Sequence, residues 1–297
     1  MTDHLVERLR AHHRLVSDKA KILPRRYLDS TFSMVEVRVM HELDHQAGMQ
    51  AGDLAARIGI DKAVMSRVLG RLERDGIVER HRVPRGRGKT VDLTPAGRKA
   101  VASVRAQTNA MVADDLSHLD DRARADLAAA LDTVDALLQP RGAIWVRPYR
   151  RSDLDAVVEA QDRIYRHEFG WNGDYADFAR RMLEAWQPEP GREFGWVAQR
   201  DGKVVGSIFL FDADGVAQIR QLYVGPEARG HGLGRELVGR FIAAARRAGY
   251  ARARLWTQQS LGAARRLYAD FDFHIVSTRE HRMFGADLTE EIWERDL

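Results

Sequence analysis

The run Gln221-Leu-Tyr-Val-Gly-Pro-Glu-Ala-Arg-Gly-His-Gly-Leu-Gly-Arg235 concentrates residues whose spacing suits anion chemistry. An apolar strand feeds a turn at Pro226, then Arg229, Gly232 and Gly234, then a helix with one apolar face. Glycines turn the backbone tightly and leave N–H groups uncovered, and a helix N-terminus adds a dipole favourable to negative charge. The stretch therefore predicts a phosphate or pyrophosphate site. A Rossmann dinucleotide loop needs G-x-G-x-x-G and an acid about 20 residues on, at a strand end. The spacing here is G-x-G-x-G, and Arg252-Ala-Arg-Leu-Trp-Thr257 carries no acid, which argues against NAD.

A second group of residues suits a polyanion. Between Arg80 and Lys99 there are seven Lys/Arg (80, 82, 85, 87, 89, 98, 99) against one acid, Asp92. On charge alone this is equally a solvated basic loop. What precedes it decides: a short helix, a turn at Gly59 and a second helix from Asp61, the order of a helix-turn-helix. Val64, Val68, Leu69 and Leu72 would pack that second helix inward and leave Lys62, Ser66, Arg67 and Arg71 outward, suited to a major groove. A hairpin bearing Arg82, Arg85, Arg87 and Lys89 would grip phosphates or a minor groove beside it. Gly86-Arg87-Gly88-Lys89-Thr90 resembles a phosphate loop only superficially, because Val83 stands where that motif needs Gly. His41 and His45, four apart on an expected helix, have no third ligand spaced to join them, and no metal is expected.

The elements that must hold these groups follow from periodicity. Leu5, Leu9, Val16 and Ile22 mark an amphipathic first helix that Pro24 interrupts. Ser33 and Glu36 have capping-box spacing ahead of a helix to about Leu43. Thr94-Pro95 opens a long helix. Leu127, Leu131, Val134 and Leu138 form one apolar seam on a last helix, about 121–138. Gln139-Pro140-Arg141-Gly142 is the clearest boundary. Beyond it lie a strand at 144–149, helices at about 152–168 and 174–186, and two strands flanking the hairpin signal Asp201-Gly202. Then come a strand to Val224, the glycine loop, a helix to Gly249, a strand at 253–257, a helix at 260–270 and a final strand region, Phe273–Phe284.

With 297 residues the chain has room for two domains. Hydrophobic residues make up 44% and charged residues 30%, an ordinary globular balance, and net charge is +4. There is no cysteine, which excludes disulfides, thiolate metal sites and a cysteine nucleophile. No apolar run spans a bilayer, and the charged first residues do not read as a secretion signal, so a cytoplasmic protein without a membrane partner is expected.

The run LAARIGIDKAVMSRVLGRLERDGIVERHRVPRGRGKTVDLTPAGR resembles the winged helix-turn-helix core of the MarR family. That resemblance implies duplex DNA as partner and a homodimer held by the first and last helices of the N-terminal domain, 1–140. The wing departs from the family, which usually has Asp before the wing arginine; here Arg87 is the wing-tip candidate. The glycine loop resembles motif A of the GNAT superfamily, [Arg/Gln]-x-x-Gly-x-[Gly/Ala] after V-x-P: Val224-Gly-Pro226, then Arg229, Gly232, Gly234. Ala264-x-x-Leu267-Tyr268-x-x-x-Asp272-Phe273 is similar to a second GNAT signature, with Leu261 where Asn is frequent and Asp272 where Gly is usual. His281 to Trp293 also looks like bacterial proteins that fuse these two domains.

The expected fold is therefore a mainly-α winged helix-turn-helix domain followed by an α/β GNAT domain with a central mixed sheet, 144–297. The resemblance implies an acetyl-CoA-dependent N-acetyltransferase acting on an amine acceptor. Backbone amides of Gly230, His231, Gly232, Leu233, Gly234 and Arg235, with Arg229, would hold the pyrophosphate. Leu222, Tyr223 and Val224 would pair with the pantetheine arm, and the Val224 N–H would act as the oxyanion donor. Tyr268 is the implied general acid. Tyr165, Trp171 and Glu193 are candidates on the acceptor side, Glu193 and Tyr165 also as bases. Three readings stay open: both activities, a regulator whose second domain senses acetyl-CoA or an amine without turnover, or an acetyltransferase with a vestigial wing.

Overall fold

A computed structural model of the chain describes residues 2–19, 30–82, 88–189 and 191–297. The chain divides into two compact units, a first of residues 2–44, 49–82 and 88–121 and a second whose body is 122–297. Among the described residues no helix is long and apolar enough to cross a membrane.

The first unit strings helices α1 (Thr2–Lys19), α2 (Met34–His45), α3 (Ala51–Ile58), α4 (Lys62–Arg74) and α5 (Pro95–Asp115) around a small antiparallel sheet. That sheet holds β1 (Met49–Gln50), β2 (Val78–Arg82) and β3 (Lys89–Leu93) in the order β1-β3-β2. Local chemistry sets the helix ends. Ser33 N–H donates to Glu36 Oε2 (2.8 Å) and Glu36 N–H to Ser33 Oγ (3.4 Å), a reciprocal cap that opens α2. Asp61 Oδ1 accepts from Ala63 N–H (2.6 Å) at the start of α4, and Thr94 Oγ1 from Gly97 N–H (3.0 Å) at the start of α5. Gly59 closes α3 at φ +75°, so the turn between α3 and α4 falls where a glycine sits. Met65, Leu69 and Leu72 of α4 are buried with Met40, Leu54 and Val91. Met65 takes the inward place expected of Val64, which is half-buried, as is Val68.

Helix α6 (Asp121–Leu138) carries the seam read from the sequence, with Leu127, Leu131, Val134 and Leu138 exposed. Leu5 and Val16 of α1 are exposed as well.

The second unit is built on a seven-stranded sheet. Its strands are β4 (Ile144–Pro148), β5 (Phe194–Arg200), β6 (Lys203–Ala213), β7 (Val216–Val224), β8 (Arg252–Gln258), β9 (His274–Met283) and β10 (Ala286–Asp296). The order is β4-β5-β6-β7-β8-β10-β9, antiparallel throughout except between β7 and β8. Helix α9 (Leu233–Arg247) makes that one parallel crossover. Apolar residues of α9 and α10 (Gly262–Asp270) share a core with Ile208, Ile219 and Leu255. Those of α7 (Leu154–Phe169) and α8 (Asp174–Ala185) share another with Val197 and Phe209. Neighbouring residues on a strand point to opposite faces, so α7 and α8 cover one face of the sheet and α9 and α10 the other.

The sequence reading of one final strand region, 273–284, is corrected by the structure. The backbone turns at Phe284 (φ +55°) and Gly285 (φ +77°), and β10 runs back between β8 and β9. Alternation is obscured there because Glu291 is buried and charged, and because the register shifts between Ile292 and Trp293. Arg265 Nε and Trp293 Nε1 both donate to Glu291 Oε2 at 2.9 Å, which compensates the buried carboxylate.

Leu69 has no exposed surface in the first core. Leu69→Ala is expected to lower unfolding free energy by about 2–5 kcal/mol. Urea unfolding followed by circular dichroism checks this; a change within experimental error would mean the core is not packed as described.

Candidate active site

The parallel ladder of β7 and β8 is short. It pairs Ala217 with Ala253, Gln218 with Arg254 and Ile219 with Leu255, then stops. Beyond it the two strands diverge, and a cleft of about 860 Å³ opens between them. The cause lies in β7. Between the pairs Phe209–Arg220 and Ser207–Tyr223, β7 advances three residues while β6 advances two, a β-bulge. Gln221 occupies the extra position at φ +50°, a left-handed conformation unusual for a non-glycine residue.

A buried polar network holds the bulge. Ser207 Oγ donates to the Gln221 carbonyl (2.8 Å), and Gln161 Nε2 reaches Ser207 Oγ (3.0 Å) and the same carbonyl (3.4 Å). The Tyr175 hydroxyl donates to Gln221 Oε1 (2.9 Å) or to Gln161 Oε1. Ser207 is fully buried and Gln161 almost so. The sequence offered no warning of this set, because Gln161 and Ser207 read as surface types within an amphipathic helix and a strand.

Past the bulge, backbone direction defines what faces the cleft. Gly225 N–H donates to Val205 O (2.8 Å), toward β6. Amides alternate sides along a strand, so the Val224 N–H points the other way, into the gap toward β8. At one end of the cleft lies the glycine loop. Gly230 and Gly232 adopt φ +78° and +77°, and a Cβ built on either meets nothing within 4 Å. The loop backbone is therefore uncovered at the N-terminus of α9, a position that favours an anion. At Gly234 a Cβ would lie 3.0 Å from Leu267 Cδ2, so α9 and α10 pack closely at that glycine.

Tyr268 of α10 is buried, packs edge-on to Phe273 with centroids 6.1 Å apart, and lines the cleft. Burial raises its phenol well above the ordinary value of 10, with Tyr165 adding to the rise, so it holds its proton at neutral pH. Opposite, Tyr165 stacks on Trp171 (4.4 Å, 9°), and Trp171 neighbours Tyr175 (5.6 Å) and Phe284 (5.0 Å). Burial pushes Tyr165 up to about 12, opposed by hydrogen bonding with Tyr175. Arg229 pairs with Glu168 (2.8 Å) and Arg235 with Asp270 (2.8 Å).

Residues 154–273 match the family model described as Acetyltransferase (GNAT) family, and residues 30–87 match the model described as MarR family. The chain carries a GNAT-type domain after a MarR-type segment. A relative described as an uncharacterized N-acetyltransferase from Archaeoglobus fulgidus is 29% identical over 137 residues, covering 43% of this chain and 90% of that protein. Similar solved structures include a putative acetyltransferase from Salmonella typhimurium, described with its cofactor acetyl-CoA. It is 24% identical at TM-score 0.44, covering 52% of this chain and 94% of that one. Another is a ribosomal-protein-S18-alanine N-acetyltransferase from Escherichia coli, 20% identical at TM-score 0.43, covering 52% and 94%.

Within the GNAT domain, Leu222, Tyr223, Val224, Arg229, Gly230, Gly232, Leu233, Gly234, Arg235, Tyr165, Trp171 and Tyr268 all line the one cleft. His231 does not line it; its ring is exposed, and its Nδ1 lies 2.9 Å from Arg229 O. Glu193 lies away from the cleft, bonded to Trp186 Nε1 (3.2 Å), Glu189 N–H (2.9 Å) and Asp212 N–H (3.0 Å). Asp272, at φ +60°, takes the left-handed turn a glycine would otherwise fill. In the first unit Lys62, Ser66, Arg67, Arg71 and Lys89 are exposed. Arg71 is also bonded to Glu36 (3.1 Å). Arg85 and Arg87 lie outside the described residues.

Two predictions follow from the network and the phenols. Gln161→Leu removes the donor to Ser207 and the Gln221 carbonyl, and is expected to cost about 1–3 kcal/mol in urea unfolding; an unchanged midpoint would show that the bulge stands without it. Tyr165 and Tyr223 are both raised to about 12, chiefly by burial. The fold thus binds these protons more tightly than the unfolded chain, so their stabilisation is complete below pH 10 and lost as pH climbs from 10 toward 12. Calorimetric Tm values should fall over that window, and less steeply in Tyr165→Phe.

Proposed function

We propose that this chain is a DNA-binding regulator whose second domain, 144–297, transfers acetyl from acetyl-CoA to an amine by direct attack. The observation that carries the reading is the cleft opened between β7 and β8, with the glycine loop at one end and a protonated, buried Tyr268 lining it.

Acetyl-CoA supplies an activated acetyl group. Backbone amides of Gly230 to Arg235 bind its diphosphate, and the open edge of Leu222–Val224 aligns its arm as an added strand would. The Val224 N–H donates to the thioester oxygen as charge develops there. As the amine nitrogen bonds to the carbonyl carbon and the carbon–sulfur bond breaks, Tyr268 gives its proton to the departing sulfur, and the proton shed by the amine passes to water. Tyr165 is a poor base, because its phenol stays protonated to about pH 12. It serves instead as acceptor-site wall with Trp171.

The first domain, 1–140, binds duplex DNA with α4 in the major groove through Lys62, Ser66, Arg67 and Arg71, while Arg85, Arg87 and Lys89 of the wing contact the backbone. The exposed apolar positions of α1 and α6 are suited to a homodimer, and a cytoplasmic location fits both activities. The non-catalytic sensor reading draws on Leu261, which lines the cleft where the resemblance implies Asn.

Thiol release across an amine panel tests the catalytic half. Tyr268→Phe is expected to lower kcat about 10²-fold or more with acetyl-CoA affinity retained by calorimetry; turnover equal to wild type would remove Tyr268 from the mechanism, and absence of turnover on every amine would favour the sensor. For the DNA half, Arg67→Ala is expected to weaken binding to duplexes selected from a random pool by about 1–3 kcal/mol. Arg87→Ala should reduce the salt slope by about one. Unchanged affinity and slope in both would sink the interface.

A further inference from the structure

The geometry points to an acceptor of definite class: a small amine that also carries a carboxylate, held by Arg220, with an apolar or aromatic body. This rests on the acetyltransferase reading and names the substrate of that same cleft.

Arg220 lines the cleft at the base of the fork, next to the bulge residue Gln221 and directly after the last β7–β8 pair, Ile219–Leu255. Its cross-strand partner is Phe209, which belongs to the core under α7 and α8. Paired residues on an antiparallel ladder share a face, so Arg220 projects to the α7–α8 side, where the aromatic wall stands. It is half-buried, yet among the described residues its guanidinium makes no hydrogen bond and no ion pair within 4 Å. Burial lowers its pKa from the usual arginine value, and Glu290, which does not line the cleft, offsets this only at a distance. An arginine remains charged under such a shift, so a partly desolvated cation lines the cleft with no protein partner among the described residues for its five donors.

The other charges of the cleft are disposed differently. Among the described residues the lining acids are Glu168 and Asp270, and each is engaged by Arg229 or Arg235. No lining carboxylate is left to receive a second ammonium, which disfavours a polyamine. The remaining lining cation, Arg266, sits on α10, the helix that the glycine loop packs against through Gly234 and Leu267. Arg220 lies four residues before Val224 on β7, on the far side of the bulge at Gln221 from the glycine loop, and so across the thioester position from the diphosphate. One isolated guanidinium offers a planar fork to a single anionic group, and a carboxylate matches it in shape and in charge.

The rest of the wall sets the body of the acceptor. Tyr165, Trp171, Tyr175, Phe178, Met182 and Trp256 offer rings and a thioether, with Phe178 and Trp256 centroids 6.2 Å apart. An amino acid with an apolar side chain fills such a space, its carboxylate on Arg220 and its nitrogen toward Val224.

Matched pairs test this: phenylalanine against 2-phenylethylamine, and leucine against 3-methylbutylamine, in thiol release from acetyl-CoA. Wild type is expected to favour the acid of each pair at least tenfold in kcat/KM. Arg220→Gln should raise KM for the acids about 10- to 100-fold and affect the plain amines at least tenfold less, with Arg220→Lys recovering part of the preference. Preference for the plain amines, or an equal fall in kcat on both members, would overturn the assignment; the latter would mark a transition-state role for Arg220. Calorimetric titration of the same acids into coenzyme A-loaded protein separates this idea from the catalytic one. Tighter acid binding that Arg220→Gln abolishes supports the assignment even without turnover, and acid binding insensitive to Arg220→Gln refutes it even with turnover.

Discussion

The second unit depends on one local event, the extra residue that β7 accommodates at Gln221. A left-handed non-glycine residue costs of order 1 kcal/mol, and persists only where its surroundings over-determine it. Here Ser207, Gln161 and Tyr175 do so from β6, α7 and α8, each spending hydrogen-bonding capacity on the Gln221 carbonyl or amide. The bulge ends the parallel ladder at Ile219–Leu255. Without it β7 and β8 would remain paired, their edges would be spent on each other, and no cleft would open. The same event turns the Val224 amide to the gap and leaves Arg220 at the fork.

The network also ties the acceptor side to the cofactor side. Tyr175 packs against Trp171 and Phe284 in the aromatic wall and bonds the bulge residue three positions before Val224. Glu168, near the end of α7, pairs with Arg229 of the glycine loop. A substitution in α7 or α8 thus bears on the cleft through two routes, one neutral and one ionic. The ionic route is partly exposed and screened by salt, whereas the buried hydrogen bonds are not.

In the first unit the physics is simpler. Asp61 and Thr94 fix where α4 and α5 begin, and Met65, Leu69 and Leu72 fix which face of α4 turns inward. The outward face of Lys62, Ser66 and Arg67 is what remains. This is why a reading of the sequence placed those residues correctly on the surface even though Met65 stood in the position assigned to Val64.

The sequence alone determined whatever depends on neighbours along the chain: the caps at Ser33, Asp61 and Thr94, the turn glycines at 59 and 202, the glycine loop at 230–234, and the alternation or periodicity of most elements. These are set by spacings of one to four residues, where backbone geometry acts directly. Only the tertiary structure decided the rest. It took β10 from the C-terminus and set it between β8 and β9, with Glu291 buried against Arg265 and Trp293. It placed Glu193 in local hydrogen bonds away from the cleft, and it brought Gln161, Ser207 and Gln221 together across 60 residues of chain. Such contacts carry no periodic signal, because a buried polar partner is chosen by the shape of the space between elements and not by its distance in sequence.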